Sequence, residues 1–132
     1  MIVVDTSALM AVLCGEPGGR PCMPVLEGAP SLCISAGTVA EAKIVAAHRN
    51  LAAEMDRLIT GLGMEIHPVD RDAAEEVATA YRRWGKGIHP AGLNFSDCFA
   101  YALARRTAAP LLFVGDDFRR TDIEPAVPAG AA

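Results

Sequence analysis

The apolar positions of the chain fall into short blocks separated by charge, Gly or Pro, and the blocks alternate between strand-like and helix-like spacing. Residues 2–4, Ile-Val-Val, form a β-branched run that stops at Asp5, and residues 6–13 follow at once with helical character. This predicts a strand feeding directly into a helix. A Gly- and Pro-containing loop over 15–21 leads to a short helix at 23–27, a second strand at 32–35, and then through Gly37 to a helix over 39–48. Leu51, Met55, Leu58, Ile59 and Leu62 recur at helical spacing and predict a helix over 51–62. A third strand at 64–68 precedes a helix at 72–84. Gly85, Gly87, Pro90 and Gly92 mark a flexible loop, and a helix at 95–106 and a fourth strand at 111–114 complete the pattern. Residues 1–124 read as one domain, and 125–132 as a flexible C-terminal tail.

Strands alternating with helices imply an α/β fold, a three-layer α/β/α sandwich around a central, mainly parallel sheet. Ligand sites in such sheets collect beyond the carboxyl ends of the strands, where the strand order reverses. Acids stand at those places. Asp5 follows the first strand, Glu41 lies in the first turn after the second, Asp116 and Asp117 follow the fourth, and Asp97 opens the helix before it. Each has a structural reading. Asp5 suits an N-cap, Thr38-Val39-Ala40-Glu41 matches a capping box, Asn94-Phe95-Ser96-Asp97 resembles another cap, and Asp116 or Asp117 suits the start of a turn at Phe118. Taken together they would crowd four or five negative charges onto one rim, which capping does not require and Coulomb repulsion opposes. A divalent cation resolves that conflict. Carboxylate oxygens suit Mg²⁺ or Mn²⁺, and no His or Cys cluster competes for the assignment. Helix N-termini at the rim are expected to lower the carboxylate pKa values and keep the ligands ionised.

Composition narrows the classes. At 132 residues and 52% hydrophobic content, the chain can bury a sizeable core. No apolar run approaches the roughly 20 residues of a membrane span, and the start MIVVDTSALMAVL lacks the positive flank of a secretory signal, so a cytoplasmic, membrane-free protein is expected. Cys14, Cys22, Cys33 and Cys98 form no C-x-x-C pair and read as buried free thiols. A net charge of −4 argues against coating nucleic acid by bulk electrostatics but leaves a local patch open. Arg82, Arg83, Lys86 and His89, with Arg119 and Arg120 beyond the last acids, are candidates for phosphate contacts, and Trp84 or Tyr81 for stacking an unpaired base. The alternative is a solvated helix end with Trp84 packed inward.

Four segments in series, VVDTSALMAVL, TVAEA, HPAGLNFSDCFAYALA and PLLFVGDDFRRTDI, resemble the PIN-domain ribonucleases, and more narrowly the VapC toxins of bacterial toxin–antitoxin pairs. Together they span nearly the whole chain. The resemblance implies a catalytic acidic cluster of Asp5, Glu41, Asp97 and an acid of the GDDF segment, Asp116 or Asp117. Asp5 and Asp97 match the positions tied most directly to the metal, while Thr6 and Ser7 match a hydroxyl-bearing turn that holds carboxylates or a metal-bound water. It further implies Mg²⁺- or Mn²⁺-dependent cleavage of a cellular RNA by water, leaving 5′-phosphate and 3′-hydroxyl ends. The partners it implies are a VapB-like antitoxin covering the acidic site and a second copy in a homodimer, with helix 51–62 as a candidate contact surface or simply part of the core. A phospho-receiver module, with Asp70 after the third strand as acceptor, is a weaker alternative because no Lys follows the fourth. A PIN fold that binds RNA or protein without cutting is another, although all the acids for cleavage are present.

Overall fold

The β-branched run forms strand β1 (Ile2–Val4), and Asp5 ends it in an extended conformation while its side chain accepts the Ser7 N–H, so helix α1 (Thr6–Leu13) starts without a loop. The structure is a computed structural model and describes residues 1–128. A 3-10 turn (Pro17–Gly19) leads to α2 (Cys22–Gly28) and strand β2 (Leu32–Ser35). Then come α3 (Ala36–His48), α4 (Ala52–Leu62), β3 (Glu65–His67), α5 (Arg71–Trp84), α6 (Asp97–Thr107), β4 (Leu111–Leu112) and a second 3-10 turn (Asp117–Arg120).

The four strands pair in parallel in the order β3-β2-β1-β4. Successive side chains point to opposite faces, and both faces are covered. Val3, Cys33 and Leu111 pack under α5 and α6, whereas Val4, Ile34 and Leu112 pack under α1 to α4. This is the α/β/α layering expected from the sequence. From β1 the chain steps outward to β2 and β3, then returns to place β4 on the other side of β1. The strand order therefore reverses between β1 and β4, where Asp5 and the Gly115-Asp116-Asp117 segment emerge.

Two helix starts differ from the sequence expectation by more than one residue, and each has a local cause. Helix α3 begins at Ala36, because the Ser35 hydroxyl accepts the Gly37 N–H at 3.2 Å and serves as the cap. Thr38 and Glu41 therefore form no capping box, and Glu41 lies in the second turn. Gly37 sits in the first turn with its Cα against Phe99; an added Cβ would stand 2.5 Å from that ring. The missing side chain lets α3, bearing Glu41, approach α6, which begins with Asp97. Helix α6 starts two residues late because Asn94 and Asp97 close a turn ahead of it.

The loop expected to be flexible after α5 is tied at its base. Lys86 N–H donates to the Leu93 carbonyl at 2.9 Å and Leu93 N–H to the Trp84 carbonyl at 3.0 Å. Leu111 N–H donates to the carbonyl of Glu124, the last residue of the expected domain, and beyond it Ala126 N–H donates to the Leu111 carbonyl, both at 2.9 Å. Residues 129–132 of the expected tail lie outside the described residues. Cys22, Cys33 and Cys98 are buried free thiols and Cys14 is half-buried.

Candidate active site

Asp5 is buried at the start of α1, and its two oxygens have different fates. Oδ2 accepts the Ser7 N–H at 3.0 Å and the Ser7 hydroxyl at 2.7 Å, which is the capping role. Oδ1 is buried with no hydrogen-bond partner. Such an orphaned carboxylate oxygen is costly unless something positive or protic meets it. Ser7 also accepts the Val114 N–H at 3.0 Å, so one hydroxyl ties the Asp5 carboxylate to the segment just beyond β4. Thr6, by contrast, donates to the Thr38 carbonyl at 3.4 Å and joins α1 to α3.

Asp97 shows the same division. Its Oδ2 accepts the Asn94 N–H at 3.0 Å while Asn94 Oδ1 accepts the Asp97 N–H at 2.8 Å, a reciprocal cap that engages one carboxylate oxygen. Glu41, half-buried, accepts a hydrogen bond from Ser96. The residue beside Asp97 thus holds Glu41 across the α3–α6 contact, a role the N-F-S-D pattern did not reveal because it reads as a local cap.

The electrostatics of these acids are coupled. Burial pushes the Asp97 carboxyl up to about 7; the Asn94 N–H opposes this, and the charges of Asp5, Asp117 and Glu41 add to it. Asp5 is pushed up to about 6, again by burial first, against the Ser7 hydrogen bonds and with a contribution from Glu41. Burial and neighbouring carboxylates raise both groups, so the lowering expected from the helix N-termini appears in neither. Asp116 and Asp117 are both exposed, and Asp117, at the start of the 3-10 turn, adds to the upward push on Asp97.

The donor set fits a hard divalent cation. It offers carboxylate oxygens, one of them buried and unpartnered, in a field that resists full ionisation without added positive charge. Among the described residues no three His, Cys, Asp or Glu side chains close into a ready-made metal cage.

The PIN domain family matches residues 2–124. VapC ribonuclease Mb2780c of Mycobacterium bovis is 42% identical over 129 residues, covering 95% of this chain and 98% of the relative. The chain belongs to the PIN-domain family, in its VapC group. Two solved structures are similar in fold. Mycobacterium tuberculosis VapC20, described as a sarcin-ricin loop cleaving toxin, has a TM-score of 0.79 at 18% identity and covers 97% of this chain and 100% of its own. A toxin–antitoxin complex from Klebsiella pneumoniae has a TM-score of 0.67 at 21% identity, covering 89% and 90%.

Around the acids of this PIN domain, the softer sequence candidates separate. Trp84 is buried and donates from Nε1 to the Tyr101 hydroxyl at 2.8 Å, so it is not a free stacking platform, whereas Tyr81 is exposed. Arg83 lies over the Trp84 ring at 4.6 Å and approaches Asp122 at 3.7 Å. Arg82 donates to the Thr79 hydroxyl and Arg120 to the Pro90 carbonyl, both at 3.1 Å, while His89 Nδ1 accepts the Ala91 N–H. Lys86 and Arg119 are exposed, with the Arg119 guanidinium 5.3 Å from the Phe113 ring centroid. Helix α4 directs Met55 and Ile59 into the core, so its apolar stripe belongs to the domain itself. Asp70 caps α5 by accepting the Ala73 N–H at 2.9 Å, beyond the edge strand β3 and away from the β1–β4 reversal, which removes the phospho-receiver alternative. Among the described residues no helix is long and apolar enough to cross a membrane.

Proposed function

We propose that this VapC-group chain is a metal-dependent endoribonuclease toxin that hydrolyses a phosphodiester of a cellular RNA and is neutralised by a cognate VapB-like antitoxin. The observation that carries the reading is the buried, unpartnered Oδ1 of Asp5, itself one of the carboxylates that push Asp97 up. The names of its relatives, VapC ribonucleases, support the RNA substrate.

Asp5 and Asp97 would hold Mg²⁺ or Mn²⁺, each with one oxygen retained by its cap and the other available. When bound, the ion supplies charge neutralisation at the scissile phosphate and acidifies a water. Ser7 fixes the Asp5 carboxylate against β4. Glu41, which accepts a hydrogen bond from the Ser96 hydroxyl, would take a proton from the attacking water as the water oxygen bonds to phosphorus and the bond to the 3′-oxygen breaks. The departing 3′-oxygen takes a proton from solvent. The products are then a 5′-phosphate and a 3′-hydroxyl. Asp117 contributes negative charge at Asp97. Lys86 and Arg119, both exposed, are the remaining candidates for contacts to RNA phosphates.

An apolar groove of about 550 Å³ runs between α5 and the start of α6, lined by Val69, Ala74, Val77, Tyr81, Phe95 and Phe99. Phe95, two residues from Asp97, is 66% exposed. An antitoxin segment lying there would reach the acids and could present an Arg to them. The reading also includes a homodimer, checked by molar mass in solution.

The test is incubation of a total RNA pool with purified protein, with and without Mg²⁺ or Mn²⁺, and chemical mapping of the new ends. Metal-dependent products with 5′-phosphates support hydrolysis by water. Ends carrying 2′,3′-cyclic phosphate would refute it.

A further inference from the structure

Trp84, Tyr101 and Asp122 form a hydrogen-bond relay that the proposed chemistry does not use. Trp84 Nε1–H donates to the Tyr101 oxygen at 2.8 Å, and the Tyr101 hydroxyl donates to Asp122 Oδ1 at 2.6 Å. The other carboxylate oxygen of Asp122 lies 3.7 Å from Arg83 and 3.6 Å from Arg105. Trp84 ends α5 and Tyr101 lies on α6, both buried. Asp122 belongs to neither helix. It follows the 3-10 turn whose first residue is Asp117, and in the same turn Arg120 donates to the Pro90 carbonyl. Tyr101 stands four residues, about one turn, beyond Asp97 on α6. One helix therefore carries both Asp97 and the anchor of the segment that carries Asp117.

Apolar contacts already hold this segment down: Phe118 is buried against Phe113 with ring centroids 5.2 Å apart, and Ile123 is buried. Such contacts are non-directional and leave orientation loosely set. A relay that starts from a buried indole N–H and ends on a carboxylate flanked by two guanidinium groups is directional and fixes it. We infer that Tyr101 and Asp122 are positioning residues that set where Asp117 stands relative to Asp97. The inference rests on the role given to Asp117 in the proposed function.

The test compares Tyr101→Phe, Asp122→Ala and Asp122→Asn with Asp117→Asn, alone and combined, in the full chain. Two quantities are read: Mn²⁺ affinity by calorimetry, and single-turnover RNA cleavage at saturating Mn²⁺. Tyr101→Phe and Asp122→Ala are expected to slow cleavage about tenfold and to weaken Mn²⁺ binding. Asp122→Asn, which keeps an acceptor for Tyr101, stays near wild type. In the Asp117→Asn background neither Tyr101→Phe nor Asp122→Ala has a further effect, because both act through Asp117. Penalties that multiply, or Tyr101→Phe and Asp122→Ala proteins that bind and cut like wild type while Asp117→Asn does not, would overturn the inference and leave the proposed function standing. An Asp117→Asn protein indistinguishable from wild type in both readings would overturn the role of Asp117 itself. Asp122 is at the surface, so Asp122→Ala carries the comparison if Tyr101→Phe does not fold.

Discussion

The Ser7 hydroxyl donates to Oδ2 of Asp5 at 2.7 Å while accepting the Val114 N–H at 3.0 Å, so one small side chain joins the first site acid to the end of the strand that delivers the last two. Ser7→Ala leaves the Val114 N–H without its partner and removes a hydrogen bond that stabilises the ionised Asp5. We expect a stability loss of about 1–2 kcal/mol and slower cleavage. The acid limb of the pH–rate profile should move upward, because the hydrogen bond lost is one that holds the Asp5 pKa down. An unchanged profile would show that Ser7 serves only as part of the fold.

Removing a charge from the cluster should separate stability from activity. Asn at position 97 can still accept the Asn94 N–H, but it relieves the repulsion from Asp5, Asp117 and Glu41 and the burial of a charged group. Asp97→Asn is expected to raise metal-free stability at pH 7.5 by on the order of 1 kcal/mol while cutting activity by about 10³-fold. Thermal unfolding in chelator and cleavage assays on the same preparation check both halves.

The pH dependence of stability follows from the same two acids. Asp5 is raised to about 6 and Asp97 to about 7, from an ordinary value of 3.8. Between those limits the folded chain takes up more protons at these two acids than the unfolded chain, so their contribution to metal-free stability is complete at and below about pH 4 and is lost as pH rises toward 7. Melting temperatures in chelator should decline across that window, and saturating Mn²⁺ should flatten the decline by holding the acids ionised. Melting temperatures that rise across the window in chelator would contradict the burial of these carboxylates.

Gly37→Ala tests the α3–α6 approach that brings Glu41 beside Ser96. The added methyl group meets the Phe99 ring at 2.5 Å, so the helices or the ring must shift. A loss of about 1–3 kcal/mol is expected, with lower cleavage, and Phe99→Leu in the same chain should recover part of both.

The strand and helix pattern was legible where one residue settles two elements at once. Asp5 ends β1 and caps α1, so both appear with the bounds the sequence predicts. At α3 the same reasoning misleads. Gly37 reads as a breaker and Thr38 as a cap, yet Ser35 caps the helix and Gly37 is there for its contact with Phe99, a neighbour distant in sequence. The expectation of acids at one rim came from strand order, because each acid lies near a strand end or a helix start. The inward packing of Trp84, the action of Asp117 on Asp97, and the tie from Tyr101 to Asp122 depend on side-chain directions between elements that no local pattern records.

The most direct measurement is RNA cleavage by purified wild-type protein in Mg²⁺ or Mn²⁺, beside Asp5→Asn, Asp97→Asn and a chelator control, with folding of each variant verified by its melting curve. Cleavage confined to the metal-loaded wild type, with both folded variants inactive, is the predicted result. Cleavage that persists in chelator, or in a folded Asp97→Asn protein, would contradict a metal-dependent nuclease built on these acids.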